Sequence, residues 1–385
     1  MAKMAIIDRK KLVDGLAVIK DVIKQDSKDA KDSSNYVIIQ NGFMHCVSNM
    51  FMVTIPFGIE LDKDVVNVEF QLLFDYLKKR KEKEIKLCVT PNMTLGIIAS
   101  STSKSEIALM DEFTFDYDAL AIPESDWKPL PESFASAMAF TAWSADLSDA
   151  DWSHVTIHDG KMYGQNGRDR VTCYDMQEAG RTSFTENLLY VHAYCFDFVN
   201  KYMGFDPMRG APRYAVKGSW LHLRTLDGVI MSSRTRADNN FEADFVDDML
   251  RQGDSPAFRF TPEFAEMLDR ANPFSGKSMA VKTVNIEITN ELIRGGKKTE
   301  AGEGTSFMIL RAAREDGSRI YEQCLVRRVE HAVRFSIGYS ALESMLKYGE
   351  TFRVGNGKLT AIGSTHNGKE DGTPIFRAIA MLSTN

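Results

Sequence analysis

The hydrophobic pattern of residues 339–363 predicts a helix followed by a β-hairpin. Apolar residues recur at spacings of three and four up to Gly349, where the glycine is expected to end the helix. Two short alternating runs follow, and they are separated by Asn356-Gly357, a dipeptide typical of tight hairpin turns. The segment is therefore predicted to form one compact unit of supersecondary structure.

The same pattern occurs twice earlier in the chain, in residues 74–99 and 196–225. The predicted turns lie at Asn92, Ser219 and Gly357, so their offsets are 219 − 92 = 127 and 357 − 219 = 138 residues. Each helix carries an acid four residues before a lysine, a spacing that favours an ion pair: Asp75 and Lys79, Asp197 and Lys201, Glu343 and Lys347. This self-similarity predicts a tandem repeat.

A second helix and a second hairpin are predicted ahead of each of these units. The helices are residues 8–23 with Asp8 as N-cap, residues 134–145, and a helix capped by Thr261; the hairpin turns are Asn41-Gly42, Asp159-Gly160 and Asn290-Glu291. The predicted order of elements in each repeat is a helix, about three strands, a second helix and three more strands. That order predicts sheets backed by helices.

The length of the chain agrees with three repeats. A chain of 385 residues is too long for one ordinary core, and its thirds have a common domain size. A proline-rich segment, residues 121–132, marks the first boundary. We predict an α+β fold of three tandem domains, residues 1–122, 123–254 and 255–385, each with two helices and antiparallel strands.

Composition narrows the location and the partners. No apolar run approaches the roughly 20 residues that span a bilayer, and the first residues do not resemble a signal peptide, so a cytoplasmic protein without membrane contact is expected. The five cysteines are scattered singly, which is typical of reduced thiols. Because the formal charge is −6, binding to nucleic acid would require basic residues concentrated on one surface.

No motif in the sequence indicates catalysis. The chain lacks GxxxxGK[ST], HExxH, GxSxG and a strand-GxGxxG-helix unit. His154 and His158 flank a predicted strand, where their spacing does not favour metal binding, and the loop acids Asp146, Asp149 and Asp151 are expected to be solvated. We therefore expect no enzyme activity, no metal and no cofactor.

Residues 164–174, GQNGRDRVTCY, carry a further indication of family. They stand where bacterial-type DNA sliding clamps usually have Ala-Thr-Asp-Gly-His-Arg-Leu-Ala, and Arg170 followed by apolar Val171 keeps part of that motif. With the threefold unit, the total length and the opening helix, the whole chain resembles this family, the β subunit of DNA polymerase III, in a divergent phage or plasmid version.

The resemblance implies a closed ring of two subunits with helices lining the hole and sheets outside. Such a ring encircles double-stranded DNA without reading its sequence and tethers the polymerase to its template. The implied partners are duplex DNA, a second copy of the chain in a homodimer, and the DNA polymerase and clamp-loader ATPase, which bind through short hydrophobic peptides.

The resemblance also implies that basic residues on the predicted helices face DNA. The candidates are Lys10, Lys20, Lys24, Lys78, Lys79, Arg80, Lys201, Arg209, Arg270 and Lys347. For any one of them, the alternative is a solvated helix face. Taken together on several helices, they favour a surface that attracts phosphates.

Two further sites follow from the positions of family residues. A cleft for partner peptides is expected from Arg170, Val171, Thr172, Met249, Leu250, Ile379 and Met381, although the apolar members could be ordinary core residues. A subunit interface is expected between Ile107 and Leu109 of one copy and Ala271 and Phe274 of another, although Ile107 and Leu109 could face their own core.

Two other interpretations remain open at this point. The chain could be a non-catalytic viral assembly protein built from the same repeats, or a nuclease whose site is assembled from scattered acids.

Overall fold

The computed structural model describes most of the chain. The described residues are 4–23, 35–110, 121–167, 169–179, 184, 186, 188–236, 241–251, 255–274, 283–294, 296–314, 316–363 and 375–383. Of the candidate site residues, only Lys24 lies outside them.

The described part of the first repeat contains two helices and eight strands. In chain order they are β1 Ala5–Asp8, α1 Arg9–Ile23, β2 Tyr36–Gln40, β3 Phe43–Val47, β4 Phe51–Pro56, β5 Val65–Glu69, α2 Phe70–Lys78, β6 Glu84–Val89, β7 Thr94–Ile98 and β8 Lys104–Ala108. The expected N-cap of α1 is confirmed, because the Asp8 carboxylate accepts a hydrogen bond from the backbone N–H of Lys11 at 3.0 Å.

The second repeat follows the same order and is succeeded by a connecting helix. Its elements are β9 Lys128–Pro129, α3 Phe134–Thr141, β10 His154–His158, β11 Lys161–Asn166, β12 Arg170–Asp175, α4 Met176–Ala179, β13 Leu188–His192, α5 Cys195–Tyr202, β14 Arg213–Lys217, β15 Trp220–Arg224 and β16 Ile230–Arg234. The connecting helix is α6, Ala243–Met249, which the sequence pattern did not predict.

The third repeat has an additional pair of strands. Its elements are α7 Pro262–Ala271, β17 Thr283–Thr289, β18 Glu291–Arg294, β19 Lys297–Glu300, β20 Thr305–Ala313, β21 Arg319–Arg327, β22 Val333–Gly338, α8 Tyr339–Tyr348, β23 Thr351–Gly355, β24 Lys358–Gly363 and β25 Phe376–Met381. Thr261 caps α7 as expected, since its side chain accepts a hydrogen bond from the N–H of Phe264. Within the described ranges, no helix is long and apolar enough to span a membrane.

The predicted hairpin at Asn290-Glu291 is wrong. β18 pairs with β19, around Gly296, and β17 pairs instead with β20 and β22. The Asn290 side chain explains the difference, because it donates to the carbonyl of Val329 at 3.0 Å and accepts from Ser306 Oγ. Asn290 therefore anchors the start of an inserted hairpin instead of forming a tight turn.

The strands are shared between neighbouring repeats. The chain divides into two compact units, Met1–Ala135 with Tyr194–Asp238, and Ser136–Ala193 with Asn239–Asn385. The first unit holds the sheets β1-β6-β7-β8 and β5-β2-β3-β4-β16-β15-β14-β9, and the second holds β13-β10-β11-β12-β25-β24-β23 and β21-β20-β17-β22. Sheets thus continue from one repeat to the next at β4–β16 and β12–β25. The predicted domain boundaries at 122/123 and 254/255 stay a prediction.

Helices cover one face of these sheets. In the first unit α1 packs against α2, α5 and β4, and buries Leu12, Leu16 and Ile19 almost completely. In the second unit α7 packs against β20, β21 and α8. The amphipathic patterns of α1 and α7 are therefore satisfied in the same way.

The expected i,i+4 ion pairs give way to other partners. Asp75 accepts a hydrogen bond from Gln71, and Glu343 accepts one from the Tyr339 hydroxyl. The Lys201 ammonium binds Asp21 of α1, 180 residues away in sequence. Asp75 and Glu343 thus bind a neutral side chain one turn earlier in their own helices, and only the partner of Lys201 is set by tertiary packing.

Candidate functional site

An apolar cluster lies where β12 joins β25, on the sheet face opposite α3. Val171 pairs with Ile379 across the two antiparallel strands, so both side chains point to the same face. We call this the junction cluster; its buried members are Tyr163, Val171, Cys173, Val246, Leu250 and Ile379, with Phe241 and Met249 packed against them. It brings together Val171, Met249, Leu250 and Ile379 of the candidate cleft.

Strand alternation separates the other candidate cleft residues. Met381 lies two residues beyond Ile379 on the same face and is 41% exposed. Thr172 points to the opposite face, where its hydroxyl lies 2.6 Å from Ser144 Oγ. Arg170 shares that face and donates to the carbonyl of Trp143 at 3.4 Å. The expectation that Arg170, Val171 and Thr172 form one wall is therefore wrong, because neighbouring residues of a strand face opposite ways.

Half-buried ion pairs fix α6 over the junction cluster. The Asp247 carboxylate lies 3.1 Å from Arg377 of β25 and 3.6 Å from Lys161 of β11. Burial raises the pKa of the Cys173 thiol to about 11 and also raises the pKa of Tyr163. Both groups are thus neutral near pH 7, and Cys173 is not a reactive thiolate.

Sequence reasoning missed several residues of this cluster. Tyr163 pairs with Cys173 in the β11–β12 hairpin, so the alternation that runs through Val171 could have placed both on the same face. Val246 and Asp247 gave no such signal, because α6 has only seven residues and no side-chain cap. Their role follows from tertiary contact alone.

The candidate DNA-contact residues of α1 and α2 form one basic surface. Lys20 and Lys78 both lie over the ring of Phe74, with their Nζ atoms 5.0 and 5.8 Å from its centroid. The Arg80 guanidinium lies 4.4 Å from the ring centroid of Tyr76 and donates to its hydroxyl at 2.5 Å. Lys10 and Lys79 are exposed on the same two helices or at their ends.

Three other candidate cations already have carboxylate partners. Arg209 lies 2.7 Å from Asp227, and Arg270 lies 2.5 Å from Glu322. Lys201 pairs with Asp21, and its hydrogen bonds to that carboxylate and to Tyr202 raise its pKa. Lys347 is exposed, with its Nζ 5.3 Å from the ring centroid of Tyr348. Among the described candidate cations, those that are not held by carboxylates therefore lie on the first repeat, with Lys347 of α8 as the exception.

The candidate interface residues are mostly inside their own units. Ile107 is 5% exposed and Ala271 is fully buried. Leu109 is half-buried and forms a bridge with Val68, and Phe274 is half-buried after α7. A more open surface lies on β21, where Tyr321 and Leu325 are 43% and 52% exposed.

The structure gives no indication of a catalytic metal site within the described ranges. No group of three or more His, Cys, Asp or Glu side chains is placed to hold a metal ion there. The loop acids serve as turn formers, since Asp146 accepts from Ser148 and Asp149 accepts from the N–H of Asp151. The His154 ring packs on His192 at 4.8 Å, whereas the His158 ring lies 3.7 Å from Asp159.

Comparison with known proteins gives matches in structure only. No protein-family model matches the chain, and no curated protein matches it in sequence. The DNA polymerase III subunit beta of Pseudomonas aeruginosa superposes with a TM-score of 0.74 at 13% identity, over 99% of this chain and 100% of that one.

Two further solved structures match over all of both chains. The Helicobacter pylori beta clamp in complex with carprofen has a TM-score of 0.73 at 11% identity. The DNA polymerase III beta chain of Streptococcus pneumoniae has a TM-score of 0.72 at 12% identity. The predicted α+β architecture is confirmed, and the chain has the fold of the bacterial DNA polymerase III beta sliding clamps.

Proposed function

We propose that this protein is a DNA sliding clamp, a non-catalytic processivity factor that encircles duplex DNA without sequence specificity and tethers a replicative polymerase. The observation that carries the proposal is the full-length fold match together with the unfinished sheet edges at β8 and β21. Within the described residues, each of these two strands has a partner strand on one side only. Open edges of this kind favour pairing with another chain.

The internal repeat specifies how a second copy would complete these edges. β16 and β25, the last strands of the second and third repeats, pair with β4 and β12. β8 is the last strand of the first repeat, and β21 has the place in the third repeat that β4 and β12 have in the others. Pairing of β8 with β21 of a second copy, made twice, closes a homodimeric ring.

The register of this pairing follows from equivalent residues. Ser232 of β16, Ile379 of β25 and Glu106 of β8 each lie opposite the third residue of the preceding strand. Met52, Val171 and Tyr321 lie opposite Val47 of β3, Gln165 of β11 and Arg311 of β20. Each of these three is the fifth residue of its strand, counted from the first residue that pairs with β2, β10 or β17, respectively. Ser232 pairs with Met52, and Ile379 pairs with Val171. Glu106 is therefore expected to face Tyr321 of the second copy.

The basic surface of α1 and α2 is the proposed DNA contact. Lysine and arginine side chains attract phosphates without reading bases, which permits sliding along the duplex. The junction cluster and the exposed Met381 beside it are proposed to receive hydrophobic peptides of the polymerase and of a clamp-loader ATPase. We place this activity in the bacterial cytoplasm, during phage infection or plasmid replication.

Retention on circular and linear DNA tests the proposal. The protein would be loaded on a nicked circular duplex by a clamp-loader ATPase and washed in high salt, and one half of the sample would then be linearised. Topological binding predicts retention on the circle and loss from the linear form. Equal retention on both forms would indicate adhesive binding, and no retention on either would favour an assembly protein that holds no DNA.

A further inference from the structure

The surface around the junction cluster combines exposed apolar side chains with carboxylates. Phe245 of α6 is 49% exposed, although one turn away Met249 packs on the cluster. Met381 is 41% exposed, and its backbone N–H donates to the carbonyl of Asp169 at 2.8 Å. The apolar surface thus extends outward from the buried cluster at both α6 and the end of β25.

The exposed charges on this surface are mostly negative. Glu242, Asp244, Asp248 and Asp169 are exposed, and α6 contains no basic residue. Asp244 and Asp248 are four residues apart and so lie on one side of the helix, next to Phe245. Among the described residues, Asp244 forms no ion pair.

The basic groups of the same region are already engaged. Lys161 and Arg377 hold Asp247. Lys358 donates to the carbonyl of Met249 at 2.6 Å. The exposed Arg251 pairs with Asp248 at 2.8 Å. Lys161, Arg377 and Lys358 are half-buried, and Arg251 shares its charge with Asp248. Among the described residues, the exposed Glu242, Asp244 and Asp169 form no ion pair, so the rim presented to a ligand is negative.

We propose that the peptides bound at the junction cluster carry lysine or arginine beside their apolar anchor residues. This inference rests on the proposed function, which assigns partner peptides to this surface. The apolar anchors contact Phe245, Met249 and Met381, while the basic residues lie against Asp244, Asp248 and Asp169. The carboxylate rim therefore selects among partners that have equally apolar anchors.

The expected selectivity is modest and depends on salt. Each exposed ion pair contributes little, so two or three together give about a fivefold preference at low ionic strength. Screening should reduce this preference toward unity at about 0.5 M salt. Apolar contacts would keep most of their contribution under the same conditions.

The test uses the full-length protein and two labelled heptapeptides with the same Leu-Leu-Phe centre. One peptide has flanking lysines and the other has flanking glutamates, and their affinities are compared by fluorescence anisotropy at about 50 mM salt. We expect the lysine peptide to bind about fivefold more tightly. The D244N/D248N variant should lose most of this ratio, because it removes two rim carboxylates and releases Arg251.

A variant with an exposed carboxylate removed elsewhere provides the matched control. Asp14 is exposed on α1 in the first unit, and D14N should leave the peptide ratio unchanged. Equal affinities, a preference for the glutamate peptide, or binding of neither peptide would each overturn the inference. Retention of the wild-type protein on circular DNA is measured without these heptapeptides. A protein that is retained on the circle but shows no lysine preference would therefore refute this inference and leave the proposed function standing.

Discussion

At the scale of single residues, the important distinction is between cations that carboxylates already hold and cations that they do not. Lys201 and Arg209 have the chemistry expected of DNA contacts, but their charges are paired with Asp21 and Asp227. Lys20 and Lys78 instead lie together over Phe74. A paired cation releases fewer counterions when phosphate approaches, so the two kinds should differ in salt dependence.

The double variant K20Q/K78Q is therefore expected to weaken binding to duplex DNA and to lower its salt dependence. Removing two phosphate contacts should reduce the slope of log K against log salt by about 2. Anisotropy titrations over a salt series measure this slope. R209Q is the control, and it should change this slope by less than either K20Q or K78Q alone. An equal or larger change would contradict the assignment of Lys20 and Lys78 as phosphate contacts.

Two buried histidines in the first unit predict a loss of stability in acid. Burial lowers the pKa of both His45 and His222 from the ordinary value of 6.5 to about 4. His222 Nδ1 lies 2.7 Å from Ser232 Oγ, next to the β4–β16 join. Between pH 6.5 and 4 the unfolded chain binds more protons than the folded one, so the free energy of unfolding falls as the pH falls through that window.

The variant H222N should reduce that pH dependence. We expect its urea midpoint to change less than the wild-type midpoint between about pH 7 and pH 4.5. One buried histidine contributes up to about 3 kcal/mol to the change in the free energy of unfolding over this range. H331N, which removes an exposed histidine, is the control. The same pH dependence in wild type and H222N would contradict this account.

At the scale of elements, the close approach of α3 to the β11–β12 hairpin depends on a glycine. A Cβ on Gly164 would lie well inside van der Waals contact of the Thr141 carbonyl and of Ser144 Oγ. Thr172 links the end of α3 to β11, because its hydroxyl forms hydrogen bonds with both the Ser144 hydroxyl and the carbonyl of Gly164. The helix cannot retreat without breaking these bonds.

G164A is therefore expected to lower the free energy of unfolding by more than about 2 kcal/mol. Chemical denaturation followed by circular dichroism measures the change. G204A is the matched control, because nothing lies within 4 Å of the Cβ position at Gly204. If the two variants proved equally stable, the packing of α3 on this hairpin would differ from the structure.

The elements that the sequence predicted share a local cause. Asn41-Gly42 and Asp159-Gly160 form the expected hairpins because all four residues adopt positive φ, which such dipeptides tolerate. Asn290-Glu291 failed because a side-chain network and an inserted strand pair outweighed the local signal. Helix α6 could not be predicted, since its position depends on the Asp247 ion pairs and on apolar contacts distant in sequence.

For the candidate site, sequence position located the strands but not the faces of all their residues. Val171 and Ile379 meet as expected, whereas Arg170 and Thr172 turn away because of the two-residue period of β12. The charge pattern was less informative still about which cations are available to DNA. The sequence around a helical lysine does not show whether a distant carboxylate binds it. Asp21 and Lys201 are 180 residues apart, and only the fold brings them together.

At the scale of the whole molecule, one pairing is repeated: the last strand of the second and of the third repeat extends the sheet β2-β3-β4 or β10-β11-β12 of the repeat before it. This happens twice within the chain, at β4–β16 and β12–β25. The strands left over, β8 and β21, have the same places in their repeats. A second copy is therefore required to complete the pattern, and Glu106 is predicted to lie opposite its Tyr321.

The most direct measurement of this central claim is covalent closure of the ring on DNA. The variant E106C/Y321C would be loaded on a nicked circular duplex, oxidised and then denatured in SDS; the five native cysteines are buried and should not compete. We predict a doubly linked dimer that stays on the circle in SDS and is released when the circle is cut. Failure of the pair to cross-link, or open-ended oligomers that leave the intact circle in SDS, would contradict the clamp.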